Sequence, residues 1–330
     1  MNYGVAIPFS TEEPTSVEIQ QNDSMEDYLF SSGAIYETPN GELMRVAVIE
    51  KLRRIVSDWS TTIGKEKSVH EDYIADGGGI QLRIFGSTRL GVHNADSDID
   101  ILCLAPSFIS RNDFFTSFHD LITTRDDVES ILSVPEAYTP VLKFTIDRQA
   151  VDMVFASLQL PMLSSTLDIL DLRCLQGLDD ASVRSINGAR VAEWICRLVP
   201  DIETFCSTLR VIKYWARQRG LYSNMLGFLG GINFAILVAQ ICQLYIRACP
   251  FTLVQKFFEV FSMWQWPNPV MLRSFEDLQM QDTEGRPLPV WNSLTNFKDA
   301  LHIMPIITPA YPAMNSAYNV SPPQFRAFQV

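Results

Sequence analysis

Two hydrophobic rhythms run along this chain. Between Leu43 and Trp59, apolar residues return at helical spacing: Val46, Val48, Ile49, Leu52, Ile55, Val56 and Trp59. After Gly77-Gly78-Gly79 the rhythm shortens, and Ile80–Phe85 alternates as a strand does before Gly86-Ser87 ends it. A second strand reads Asp98–Leu104 and stops at Pro106. Residues 112–133 read as helix. Strands follow at 140–146 and 150–155, split by a turn at Asp147-Arg148-Gln149. Beyond this point the helical rhythm dominates, with helices expected at 187–198, 203–219, 231–247 and 251–263. Pro267, Pro269, Pro287 and Pro289 then break the pattern into loops. Residues 1–40 are polar and turn-rich, with Pro8, Pro14 and Pro39. The first half is therefore mixed α/β and the second mainly helical.

Composition narrows the picture. The 330 residues suffice for about two domains, and 47% hydrophobic content excludes a disordered chain. The six cysteines contain no C-x-x-C pair, so a zinc ribbon is excluded and reduced thiols are expected. The N-terminus lacks the basic start and apolar run of a signal peptide. No charge lies between Arg219 and Arg247, and Gly227-x-x-x-Gly231 is a helix-pairing pattern in lipid. Glycines break the front of that stretch, however, and about 14 residues remain against the ~20 that a span needs. A buried core helix, with no membrane partner, is the expectation. The 26 basic and 38 acidic residues give a net charge of −12. Residues 1–182 hold 13 Lys+Arg against 29 Asp+Glu, and residues 183–330 hold 13 against 9. Such acidity argues against non-specific grip on nucleic acid, because phosphate contacts need Lys and Arg.

Three carboxylates carry the candidate chemistry. Asp98 and Asp100 sit two apart on an expected strand, so their side chains leave the same face. Asp152 lies in a second apolar run, Ala-Val-Asp-Met-Val-Phe. Three acids on one sheet face repel one another unless divalent cations intervene, and oxygen-only ligands suit Mg²⁺ or Mn²⁺. Two such ions match in-line phosphoryl transfer. Upstream, Phe85-Gly86-Ser87 forms a turn after a strand, where backbone N–H groups and a hydroxyl come close to phosphates. Gly-Ser alone is uninformative; Gly-Ser, then Asp-x-Asp, then a lone strand Asp is far more specific. Asp96 reads as a turn residue, and His93 as structural.

The string FGSTRLGVHNADSDIDILCLAP resembles the catalytic signature of eukaryotic nuclear-type poly(A) polymerases, within the polymerase-beta-like nucleotidyltransferases. So do VLKF, VDMVFASL, SINGARV, LRVIKYWARQRGLYSNMLGFLGG, WQWPNPV and MPIITPAYPAMNSAYNV, in order from Tyr3-Gly4 to about Ser321. The resemblance implies an α/β (α+β) nucleotidyltransferase domain with a mixed sheet at 16–182. A mainly helical central domain at 183–330 would carry residues 1–15 packed on it, with nucleotide in the cleft between. It implies AMP transfer from ATP to an RNA 3′ end with release of pyrophosphate. Asp98, Asp100 and Asp152 match the ligands of two Mg²⁺ or Mn²⁺ ions, and Phe85, Gly86 and Ser87 the triphosphate turn. Lys213 and Tyr222 match phosphate contacts, Asn224 a contact nearer sugar and base, Gly231-Ile232 the segment beside adenine, and Lys143 a lysine near the RNA end. A monomer in the nucleus, working with 3′-end processing factors, is likewise implied. A uridylyl- or CCA-adding enzyme and a non-catalytic paralogue are the alternatives. Asn233-Phe234 replaces the family's usual Trp after Gly-Gly, and Asp299-Ala300-Leu301-His302 replaces Asp-Arg-x-His. Family chains usually continue past this point into an RNA-binding domain with an RRM-like fold.

The charge asymmetry takes on meaning beside these acids. The acidic half holds carboxylates meant for cations, while the basic half holds Lys213, Arg217 and Arg219. The 330-residue chain is thus expected to bind RNA weakly, with a shallow dependence of log K on log salt. Tight binding with a steep slope in a salt titration would contradict this reading.

Overall fold

The computed structural model describes residues 7–31, 35–274, 281–282 and 285–328. Residues 1–6 of the N-terminal segment expected to pack on the helical half lie outside them. A five-stranded mixed sheet forms the first half, from β1 (Gln81–Ile84), β2 (Ile99–Ala105), β3 (Val128–Val134), β4 (Val141–Ile146) and β5 (Gln149–Ser157). Their order is β1-β2-β5-β4-β3. β2 and β5 run parallel, and the other pairs are antiparallel. The two central strands carry near-continuous apolar runs because both their faces are covered. β4 alternates, with Leu142, Phe144 and Ile146 inward.

One face packs on α2 (Pro39–Glu66), whose Val48, Leu52, Val56, Trp59 and Ile63 are buried. Thr38 caps that helix on the Gly41 N–H, and Pro39 opens it. The other face, through Leu102, Leu104, Val154 and Ala156, packs on α3 (Asp180–Leu198). α4 (Ile202–Gln218), α5 (Gly231–Leu244) and α6 (Pro250–Met263) form the helical core. α5 is the uncharged stretch: buried nearly all round and 14 residues long. No helix among the described residues is long and apolar enough to cross a membrane.

Two elements differ from the sequence reading. The helical run beginning at Arg111 ends at Thr123, and Val128–Val134 is strand β3 rather than helix. Thr124–Asp127 forms the break, and pairing with β4 supplies hydrogen bonds that a lone Val-Glu-Ser-Ile segment could not find by itself. Within residues 1–40, Ser16–Ser31 is a helix, α1. Its sequence has little amphipathic periodicity. A capping box starts it, in which the Glu18 carboxylate accepts from Thr15 N–H and the Thr15 hydroxyl accepts from Glu18 N–H. Tertiary bonds to α6 hold it: Thr252 Oγ1 to Glu18 at 2.8 Å, and Phe251 N–H to Asn22 at 3.1 Å. The preceding segment joins α5 through Phe9 N–H to Leu244 O at 2.7 Å.

Arg45 of α2 is 1% exposed. It pairs with Glu37 at 3.0 Å and donates to the carbonyls of Asn94 (2.8 Å) and Ser97 (2.6 Å). That guanidinium fastens the turn leading into β2 to the main helix. Arg45→Ala should lower unfolding free energy by about 3 kcal/mol, because it strands the buried Glu37 carboxylate and two carbonyls. Urea denaturation checks this, and adding Glu37→Gln should recover part of the loss.

Candidate nucleotide and metal site

Parallel pairing of β2 with β5 sets Asp100 directly beside Asp152. Asp98 stands one residue before β2, two positions from Asp100, and faces the same way. One carboxylate oxygen from each of the three lies within 4.8 Å of the others. Burial, and then the charges of Asp98 and Asp152, push the Asp100 carboxyl up to about 7; Lys143 and Lys213 act in the opposite direction. Lys143 lies opposite Asp152 in the β4–β5 register and forms an ion pair with it. An oxygen-only donor set whose central member resists ionisation fits a divalent cation, which would take over the charge that protein groups leave uncompensated.

Gly86 and Ser87 begin a one-turn helix, Gly86–Arg89, straight after β1. Gly86 has φ +60°, and a Cβ there would overlap the Asp100 carboxylate. Glycine thus meets two demands at once, a left-handed backbone and close approach to the acid. Phe85 hydrogen-bonds the Asp100 carbonyl through its N–H at 3.0 Å, while its ring packs on Gly188. It contributes backbone to the site and anchors the turn with its ring.

A cleft of about 440 Å³ lies beside these groups, between the sheet and the helical core. Gly86, Ser87, Asp98 and Asp100 line one side, and Lys213, Tyr222, Gly231 and Ile232 the other. Lys213, on α4, is 8% exposed and donates to the Val92 carbonyl at 3.3 Å. Burial and the nearby Arg217 and Arg210 bring its ammonium down to about 8, while Asp100 and Asp98 oppose that shift. Tyr222 stacks on Phe234, with ring centroids 5.8 Å apart, and Arg217 covers it at 5.0 Å. A Cβ on Gly231 would come within 2.8 Å of the Tyr222 hydroxyl, so that glycine leaves room for the phenol. Asn233 caps α5 by accepting from Gly230 N–H at 2.7 Å and donates to Ser316 at 2.8 Å.

The fold brings most of the expected residues together. Four expected residues lie outside the cleft lining: Asp152 joins through the acid cluster, Lys143 through its pair with Asp152, and Phe85 through the turn, whereas Asn224 is exposed, with its carbonyl accepting from Asn319. Arg217 lines the cleft one helical turn after Lys213. Its i,i+4 spacing from Lys213 is the signal in the sequence that sets the two on one helix face. Asp96, read as a turn residue, also lines the cleft, as do Leu90, Val92 and Leu209. Nothing in local sequence marks those apolar residues as cleft walls.

Residues 4–199 match the family model of the poly(A) polymerase nucleotidyltransferase domain, and residues 204–329 that of the poly(A) polymerase central domain. The chain is 43% identical over 321 residues to nuclear poly(A) polymerase 4 of Arabidopsis thaliana, covering 97% of this chain and 42% of that protein. Against nuclear poly(A) polymerase 2 of the same plant, identity is 41%, with 97% and 39% covered. The chain thus spans less than half the length of these relatives. Among solved structures, a Cid1 poly(U) polymerase shares its fold with a TM-score of 0.60 at 12% identity, covering 94% of this chain and 91% of that one. A cytoplasmic RNA terminal U-transferase gives the same TM-score, identity and coverage.

The carboxylate cluster makes a prediction about pH. Asp100 holds its proton more tightly in the folded chain than in the unfolded one, where a carboxyl titrates near 3.8. Between those values the folded state binds the extra proton, so stability falls as pH rises from about 4 to about 7. In EDTA at pH 8, Asp100→Asn should therefore raise stability, on the order of 2 kcal/mol, and the gain should vanish near pH 4. Thermal melts of both proteins across this range check it.

Proposed function

The chain belongs to the poly(A) polymerase family, and from that premise we propose that it transfers AMP from ATP to an RNA 3′-hydroxyl without a template, releasing pyrophosphate. The observation that carries this reading is the Asp98–Asp100–Asp152 cluster at the mouth of a cleft whose far wall carries Lys213, Arg217 and Tyr222. We divide the chain into a catalytic domain at 16–182 and a helical central domain at 183–330.

Asp98 with Asp100, and Asp100 with Asp152, are the pairs we assign to two Mg²⁺ or Mn²⁺ ions, which when bound would acidify the acceptor hydroxyl and offset triphosphate charge. The protein groups do the positioning. Gly86 keeps the turn open beside Asp100, so Ser87 can approach the phosphates without a side chain intervening. Lys213, with its ammonium near 8, is mostly protonated at neutral pH and becomes more so beside a phosphate. Arg217 offers a planar fork for phosphate oxygens, held over the Tyr222 ring. Tyr222, fixed between Phe234 and Gly231, presents its hydroxyl to the same space. Gly231-Ile232 forms the apolar wall for the base, Asn224 stands at the rim for sugar and base, and Lys143 partners Asp152 where the RNA end would arrive. The names of the relatives support nuclear action, and work with 3′-end processing factors as a monomer completes the proposal.

Extension of an oligoribonucleotide with each NTP separately, in Mg²⁺ or Mn²⁺, tests the reaction. ATP should be the preferred substrate. Preference for UTP, the nucleotide of the poly(U) polymerases that share the fold, or addition confined to CCA, would overturn the assignment. Asp152→Ala should reduce AMP incorporation by on the order of 10³-fold while circular dichroism stays unchanged. An active, folded variant would sink the role given to Asp152.

A further inference from the structure

A second cavity, of about 500 Å³, lies beside the edge strand β1 and is walled by α3 and the 165–169 loop. Four arginines reach it (Arg53, Arg83, Arg89 and Arg197) against two carboxylates among its described lining residues, Asp168 and Glu193. In a chain of net charge −12 this is a local reversal of sign. The acids hold the forks in place. Arg89 meets Glu193 at 2.6 and 3.1 Å, and Arg197 bridges Glu193 at 3.2 Å and Asp168 at 3.3 Å. Arg83 donates to neutral acceptors, Gln81 Oε1 at 2.6 Å and the Leu167 carbonyl at 2.9 Å, so its charge is not neutralised by them. Arg53 is half-exposed and meets Glu50 only at the surface, at 3.4 Å.

We propose that this cavity is a binding site for a compact polyphosphate, either free pyrophosphate or the phosphate tail of a nucleotide. Its volume lies within the range of small-ligand pockets. Guanidinium forks prearranged by carboxylates match phosphate oxygens in pairs, and the two surplus positive charges favour a multivalent anion. The site also adjoins the catalytic cleft through a single element: the one-turn helix Gly86–Arg89 places Ser87 in the cleft and Arg89 in this cavity. An anion that drew Arg89 from Glu193 would pull on the turn that carries Ser87. The binding claim stands apart from the proposed reaction, because it concerns a different cavity and needs no turnover.

Calorimetric titration of the full chain with pyrophosphate, and separately with ATP, in EDTA tests it, with hydrogen exchange to locate the site. Binding should be seen with added protection at residues 83–89, 165–169 and 193–197. Arg53→Gln, at a half-exposed position, together with Arg83→Gln should weaken that binding by about tenfold or more, and Arg53→Gln alone by less. Protection of these three segments at lower ATP than pyrophosphate concentration would mark the nucleotide as the ligand; protection by pyrophosphate at equal or lower concentration would mark the free anion. The proposal is overturned by absence of binding, by protection confined to the Lys213–Tyr222 wall, or by unchanged affinity in both variants. It is equally overturned if a 5′-hydroxyl oligoribonucleotide protects these segments and pyrophosphate does not.

Discussion

Parallel pairing of β2 with β5 governs this molecule. Its register puts Asp100 beside Asp152, and the two-residue period of the strand brings Asp98 to the same side. A one-residue slip would turn Asp98 and Asp100 together, or Asp152, toward the apolar core, so the buried Ile99, Ile101, Val151 and Met153 protect the site as well as the fold. Hydrophobic burial thereby holds together charges that repel one another. Burial first, and then the charges of Asp98 and Asp152, raise the Asp100 carboxyl as a consequence.

The segment from Phe85 to Val92 couples the two halves. Phe85 bonds β2, Gly86 borders the acids, and Leu90 and Val92 are buried in the helical core. Lys213 closes the circuit through the Val92 carbonyl. A shift of the helical core relative to the sheet would change the distance between carboxylates and cations across the cleft. Arg45 restrains the other side of the same region by tying α2 to the turn before β2. The cleft is shaped as much by these polar anchors as by apolar packing.

Charge is distributed on the same logic. The acidity of the sheet half is concentrated in part where cations are expected, and the helical half supplies Lys213 and Arg217 to the opposite wall. Net charge averages over these two walls, so it does not report what the cleft between them can hold. Opposite signs on the two sides of one cleft suit a ligand that is an anion held partly through cations.

The sequence alone determined the strands bearing the acids, the glycine turn, the helices of the second half and the family. Each rests on a short-range pattern, whether a period of two, a period of 3.6 or a motif of adjacent residues. Helix α1 and strand β3 were less legible, since one is held by polar bonds to α6 and the other by pairing with β4. The tertiary structure decided that Arg217 and Asp96 line the cleft, that Asn224 falls outside its lining, and that four arginines meet beside β1. The physical reason is the same in each case. A local pattern reports which face of its own element a residue occupies, and only the packing of elements reports what that face meets.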